Sequence, residues 1–424
     1  MVASTDIKFY VHTNNNAPQL QNAYGCMLSV LDASLINGIQ VGTVSSLTAS
    51  GKIVTAVFGT AHNLMQHQVI KIAGANQAEY NVEARILTVP NATTITFELV
   101  STPSVTTATG TINCSLPPLG WEKPFSSTSA TGGKGAYRST NLLLPSRPFL
   151  RVVDELDPAW TATYAKYAKV GIVEDMTNID TMMGVQSPFD ATNPDKNWVG
   201  TRSGTTAING WAKWYYGRNV GATSEGPDIS STYEGNRSYV IVGNSDYFYI
   251  HAVSYPAPYA TESTAGTLYG FGSFESNLNP DTANTFLIST LNHVTAQTNY
   301  SIGATTAGSY NTITANNICL QRGRSLTASS AYASTGLPIY SIWNSGRLDS
   351  LQAVSTSGKI DLFTVPIFEA SAVRGILPNF YWLAQKTPFA NRGMTNDNNE
   401  AYMGLNVGAN DSTANQIALK VGDL

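Results

Sequence analysis

Residues 238–253, SYVIVGNSDYFYIHAV, constrain the fold more than any other stretch. Two arms dense in β-branched and aromatic side chains flank Gly243-Asn244-Ser245-Asp246. Such side chains are stiff at χ1 and fit a pleated surface, while Gly, Asn and Asp favour tight reversals. The pattern predicts an antiparallel hairpin. DIKFYV, RPFLRVVDE, KYAKVGIVEDM, GWAKWYYG, TLYGFGSFES, IDLFTVPIFEA and FYWLAQ read as further strands. The expected fold class is therefore mainly β, with a large sandwich or barrel-like core.

One helix is expected. In LQNAYGCMLSVLDASLI, residues 20–36, Leu20, Tyr24, Met27, Leu28, Leu31 and Leu35 recur at three- and four-residue intervals and form one apolar stripe. Asn37-Gly38 follows as a stop. From 40 to 117 the texture changes to short β-rich runs separated by Gly, Asn, Pro, Ser and Thr, the mark of a small antiparallel sandwich or barrel. Its linker-like edges predict an insertion. The resulting division is 1–39, the N-terminal strand and helix of the core; 40–117, the inserted β-domain; and 118–424, the main β-rich domain. Long neutral stretches at 124–141, 186–209, 260–266, 293–315 and 325–336 read as functional or docked loops.

Charged residues make up only 12% of the chain, against roughly 25% in an average soluble domain. A surface so neutral and so rich in tyrosine suits contact between proteins. The formal net charge of −4 argues against nucleic-acid binding, which needs a basic stripe. Cys26, Cys114 and Cys319 are odd in number and widely spaced, so neither a disulfide framework nor a CxxC ligand pair is expected, and assembly in a reducing cytoplasm is. MVASTDIKFY shows no signal-peptide pattern, and no apolar run is long enough to span a membrane.

Each candidate chemistry has a plainer counterpart. His62 and His67 are five apart, a spacing that shares a face of neither a helix nor a strand, so metal binding is not expected; His62 reads as a turn residue and His67 as a surface neighbour of the QVIKI strand. Asn193-Pro-Asp195-Lys-Asn197 alternates oxygen ligands as calcium loops do, but has Trp198 where the motif needs glycine and Gly204 where it needs Glu. NDNNE at 396–400 is polar in the same unspecific way. TGGKGAY at 131–137 lacks the first glycine and the Ser/Thr of a P-loop, and reads as a flexible loop with one exposed lysine. Ser245 falls in the hairpin turn rather than in a nucleophile elbow. Asp154, Glu155 and Asp157, before Trp160, come nearest to a hydrolytic carboxylate pair, although clustered acids usually form a solvated turn. No catalytic, metal-binding or cofactor-binding residue is assigned. The aromatic clusters remain, with Trp211, Trp214, Tyr215, Tyr216, Tyr381 and Trp382 the candidate interface residues.

Residues 53–99 resemble small immunoglobulin-like inserts in structural proteins of tailed bacteriophages. The resemblance lies in His62-Asn-Leu64, Gln68-Val69-Ile70-Lys71-Ile72-Ala73-Gly74, Tyr80-Asn81 and Val89-Pro90-Asn91-Ala-Thr93-Thr94-Ile95-Thr96-Phe97. The helix at 28–38, YVIVGNSDYFYI, FGSFES at 271–276 and Arg374-Gly375-Ile-Leu377-Pro378 also look like a phage virion protein. Residues 277–336 match no such pattern.

The resemblance implies a non-enzymatic virion subunit, in the tail or baseplate, that forms a homo-oligomer and binds other virion proteins after assembly in the host cytoplasm. Capsid decoration, a neck or collar position, and binding of a host-surface glycan are the alternatives. A hydrolase of cell wall or capsule is the remaining one.

Overall fold

Successive side chains of a β-strand face opposite sides of its sheet, and in the 238–253 hairpin both sides are covered. The computed structural model describes residues 2–203, 207, 210–218, 231–260, 264–292, 299–300, 319–326, 360, 362–369, 372–383, 388–407 and 415–424. Strands Tyr239–Gly243 and Tyr247–Ala252 pair antiparallel, with Gly243 opposite Phe248, and every residue of both is buried. Phe248 and Ile250 enter one apolar cluster; Tyr247 and Tyr249 enter another.

This hairpin lies inside a six-stranded sheet ordered Lys8–Val11, Tyr239–Gly243, Tyr247–Ala252, Thr267–Ser273, Thr285–Ile288 and Cys319–Gln321. An eight-stranded sheet, which includes Trp121–Ser129, Gly132–Ser139, Phe149–Glu155, Lys166–Asn178 and Ala212–Gly217, covers one face. Its Leu150, Val152, Val170, Trp214 and Tyr216 meet Phe248, Ile250 and Tyr269 of the central sheet. The third sheet, built on Ala372–Leu383, Glu400–Val407 and Asn415–Asp423, covers the other face with Phe380, Trp382, Met403, Leu405 and Leu419. The chain is mainly β, as expected, and its core is two sandwiches that share a middle sheet. Burial on both faces explains why the middle strands are apolar at consecutive positions instead of alternating.

Residues 39–116 form a closed barrel of six antiparallel strands. Ile39–Ser50 pairs with Ile53–Phe58 at one end and Gly110–Leu116 at the other, with register shifts at Val44/Ser46 and Gln40/Gly42. Bulges bend the long strand, so the two edges that an immunoglobulin-like sandwich leaves open are joined here. Of the small sandwich or barrel expected at 40–117 the structure forms the barrel, not the open sandwich of an immunoglobulin-like insert. Gly74 permits the closure: its φ is +88°, and a Cβ there would sit 2.1 Å from the Thr111 carbonyl oxygen. The barrel interior belongs to the same cluster as Met27, Leu35, Leu150 and Trp214, so its core is continuous with that of the body.

Polar side chains fasten the barrel. Asn14 and Gln68, both buried, exchange amide hydrogen bonds at 3.1 and 2.9 Å, and Gln68 also donates to the Phe9 carbonyl at 3.0 Å. Asn15 donates to the Ala61 carbonyl at 2.8 Å and Asn16 to that of Gln40 at 2.8 Å. The turn HTNNNAP is thus the mortise into which the barrel fits.

The helix is shorter than the apolar stripe suggests. An α-helical segment, Cys26–Leu31, runs into a π-helical turn, Asp32–Asn37. Gly25, at φ +86° and ψ −11°, breaks the pattern upstream, and Leu20 instead pairs in an isolated bridge with Arg237. Gly38 ends the segment at φ 73°, as expected. Asp154, on the neighbouring sheet, accepts the Met27 amide at 2.9 Å and the Tyr216 hydroxyl at 2.6 Å, and so caps the first turn from outside the helix.

The stretch 124–141 is not a loop. It lies in the paired strands Trp121–Ser129 and Gly132–Ser139, where glycine allows close approach: a Cβ on Gly132 would lie 2.0 Å from the Asp154 carbonyl oxygen. The loops expected at 293–315 and 325–336 lie almost wholly outside the described residues, as do parts of those at 186–209 and 260–266.

Candidate functional site

Burial removes most of the proposed interface aromatics from any surface. Trp211, Trp214, Tyr215, Tyr216 and Trp382 are buried inside the chain, and Tyr381 is half-buried with its ring 5.8 Å from that of Tyr402. Trp214 shows why: its indole N–H donates to the Ile288 carbonyl at 2.9 Å and its ring stacks on Tyr269 at 5.9 Å, joining two sheets. Trp214, Tyr216 and Trp382 pack the cores between sheets, and Tyr215 packs against Tyr167 in a separate cluster.

The histidines do not converge. His62 is buried, accepts the Leu64 amide on Nδ1 at 2.9 Å and meets the Asn91 carbonyl through Nε2 at 3.2 Å. His67 is buried as well, not on the surface, because it turns at φ +68° between the barrel and the Met394–Asp397 strand, where Asn396 bonds its ring. Burial lowers the pKa of both rings. Among the described residues no group of three or more His, Cys, Asp or Glu is arranged to hold a metal ion, and no helix is long and apolar enough to cross a membrane.

The calcium-like loop is organised by its own bonds. Asp190 accepts the Thr192 amide at 2.9 Å and pairs with Lys196 at 3.0 Å. Asn197 points inward, donating to the Val170 carbonyl and accepting the amides of Trp211 and Ala212. Lys134, expected to be a lone exposed lysine, is paired with Asp180 at 2.8 Å from within a strand. Ser245 sits in the hairpin turn and bonds Asp246 at 2.8 Å.

Among the described residues two outward features stand out. The first is the loop that follows Ser139, where Leu142 is 77% and Leu143 92% exposed. The loop is braced. Asn141 accepts the Leu143 amide on its side chain at 3.0 Å and donates to Asp246 at 2.8 Å, while Arg147 donates to the Ser139 carbonyl at 2.9 Å and Arg322 to Ser146 at 2.7 Å. Two adjacent leucines held out to water by their neighbours are a costly arrangement for an isolated chain. Its signal is in the sequence: NLLLPSRP sets an apolar triplet among turn residues, where a surface loop should be polar.

The second feature is a cleft of about 350 Å³ on the eight-stranded sheet, on the face away from the central sheet. Alternation puts Leu150 and Val152 inward and Arg151 outward, beside Val153 in the outer cluster. Trp198, from the loop above, lies over Gly171, where a Cβ would be 2.7 Å from the indole. The Arg151 guanidinium stacks on that indole at 4.4 Å and donates to the Ile179 carbonyl at 2.8 Å and to Asp180 at 2.7 Å. Lys169 bonds Asp157 at 2.6 Å and the Trp198 carbonyl. Burial would raise the Asp157 carboxyl, but Lys169 and the Ala159 and Gly200 amides hold it below its ordinary value. The cluster of acids at 154–157 therefore splits three ways: Asp154 caps the helix, Asp157 neutralises Lys169, and Glu155 faces the cleft.

No family model and no curated protein matches the chain. Among solved structures it is similar to one described as "Phage phi92 endosialidase", with a TM-score of 0.16 and 9% identity, over 91% of this chain and 51% of that one. The chain thus spans about half the length of that protein, and a likeness at this level implies neither a shared fold nor a shared activity.

Proposed function

We propose that the chain is a structural subunit of a tailed-phage particle, in the tail or baseplate, that works by assembly with copies of itself and with other virion proteins. The observation that carries the assembly reading is the braced Leu142-Leu143 loop. A rigid apolar protrusion loses little conformational entropy on docking and gains the burial of two side chains, the economy expected of an interface anchor. The particle itself is inferred from the sequence marks at 53–99 and their flanks, now placed on a barrel that shares its core with the body. In this reading the chain turns over no substrate.

Mass spectrometry of purified particles, split into head and tail fractions, tests the location. Recovery in the tail fraction is expected; recovery with the capsid would favour decoration or a neck position, and absence from every particle would refute the reading. Leu142→Ser with Leu143→Ser should leave the monomer folded and abolish its incorporation.

A further inference from the structure

We propose that the cleft beneath Trp198 binds a neutral saccharide. Two residues that line it, Arg151 and Trp198, each carry a buried donor, Nη1 and Nε1, that has no partner among the described residues. Their side chains are 4% and 6% exposed. A buried donor left unpaired costs about 1–3 kcal/mol, so a fold that keeps two in one cleft gains from a ligand that brings acceptors.

The charges of the cleft select the kind of acceptor. Lys134, Arg151 and Lys169 face Glu155, Asp157, Asp180 and Asp195. The cations are already matched, Lys134 and Arg151 by Asp180 together with Glu155, and Lys169 by Asp157, so the site offers an anion no unspent charge. Among the described residues Glu155 pairs loosely with Lys134, at 3.8 Å, and the exposed Asp195 lies at the rim. Spare donors beside carboxylates that still have lone pairs to offer fit hydroxyl groups, which accept and donate at once. A sugar carries such groups at the spacing of a ring.

Space permits it. The cleft of about 350 Å³ adjoins a second hollow of about 510 Å³, and Asp195 and Val199 line both. Together they make a groove long enough for more than one unit. Arg151 covers one indole face and the ring edge at Cη2 and Cζ2 abuts Gly171, so recognition rests on hydrogen bonding more than on stacking.

The inference does not depend on a place in a virion. The full chain, applied to an array of neutral and acidic oligosaccharides and then titrated with each hit by tryptophan fluorescence, tests it. Binding to neutral members is expected, weakened about tenfold or more in Trp198→Phe, which deletes the N–H but keeps an aromatic ring. Asp195→Asn, at an exposed position that cannot unfold the chain, should weaken it as well. Silence toward every neutral saccharide, binding to acidic ones alone, or binding untouched by both substitutions would overturn the proposal. None of these results bears on where the chain sits in a particle.

Discussion

Arg85, in the barrel, donates Nη1 to the main-chain carbonyl of Val421, 336 residues further along, at 2.9 Å. The same guanidinium bonds the carbonyls of Ser4, His67 and Ile7 at 2.7, 2.7 and 2.9 Å, so one side chain ties the barrel to the N-terminus and the last strand. Gly422 makes room for it: a Cβ there would lie 2.2 Å from Cζ. Burial lowers the Arg85 pKa to about 10, and the group stays charged at neutral pH.

Arg85→Ala strands four carbonyls and should cost on the order of 3 kcal/mol in urea unfolding. Arg85→Lys, which lacks the planar fork, should recover little of it. Gly422→Ala should be severe in the natural chain and mild beside Arg85→Ala. Additive costs in that double-mutant cycle would refute the clamp.

His251 should make the fold acid-sensitive. Its Nε2 donates to the Asn406 carbonyl at 2.8 Å, its Nδ1 has no partner among the described residues, and burial, helped by Arg392, pushes its pKa down to about 3 from the ordinary 6.5. The unfolded chain takes up a proton below pH 6.5 and the folded chain does not until about pH 3. Stability from this group is therefore complete above pH 6.5 and falls by up to about 5 kcal/mol as pH drops through the window. In His251→Gln, whose amide can still donate to Asn406, that slope should vanish; an unchanged slope would count against the assignment.

Asp154 should act with the opposite sign. Burial raises its carboxyl to about 6 despite the bonds from Tyr216 and the helix amides. The folded state then holds a proton that the unfolded state has released, so the contribution is largest near pH 4 and declines by about 3 kcal/mol up to pH 6. The difference in unfolding free energy between the natural chain and Asp154→Asn should shrink across that interval. A constant difference would refute the shift.

Trp214→Ala should cost about 3–5 kcal/mol, the range for emptying a large core site, with no effect on association of the folded protein. Weaker association with unchanged stability, measured by sedimentation and thermal unfolding, would restore Trp214 to an interface.

Strands, turns and the helix stop were legible because they are decided within a few residues. χ1 stiffness, left-handed glycine and Asn-rich reversals act locally, so the hairpin at Gly243, the stop at Gly38 and the β-texture of 40–117 needed no knowledge of the rest. Gly25 shows the limit, since an apolar stripe continued through it while the backbone did not.

What each strand faces is a non-local matter. The aromatics of 211–216 and 380–382 could serve a core or a surface equally well; the middle sheet, buried on both sides, drew Trp214, Tyr216 and Trp382 inward, while Tyr215 is buried beside Tyr167 in a separate cluster. Likewise Asn14, Gln68 and Arg85 read as ordinary polar residues until pairing brought carbonyls from distant segments around them. The cleft is of the same kind: Arg151 and Trp198 are 47 positions apart, as their numbers give, and no local signal relates them. Sequence alone determined that this chain makes sheets; tertiary structure decided which faces are core, joint or open, because a side chain's role depends on what the rest of the chain packs against it.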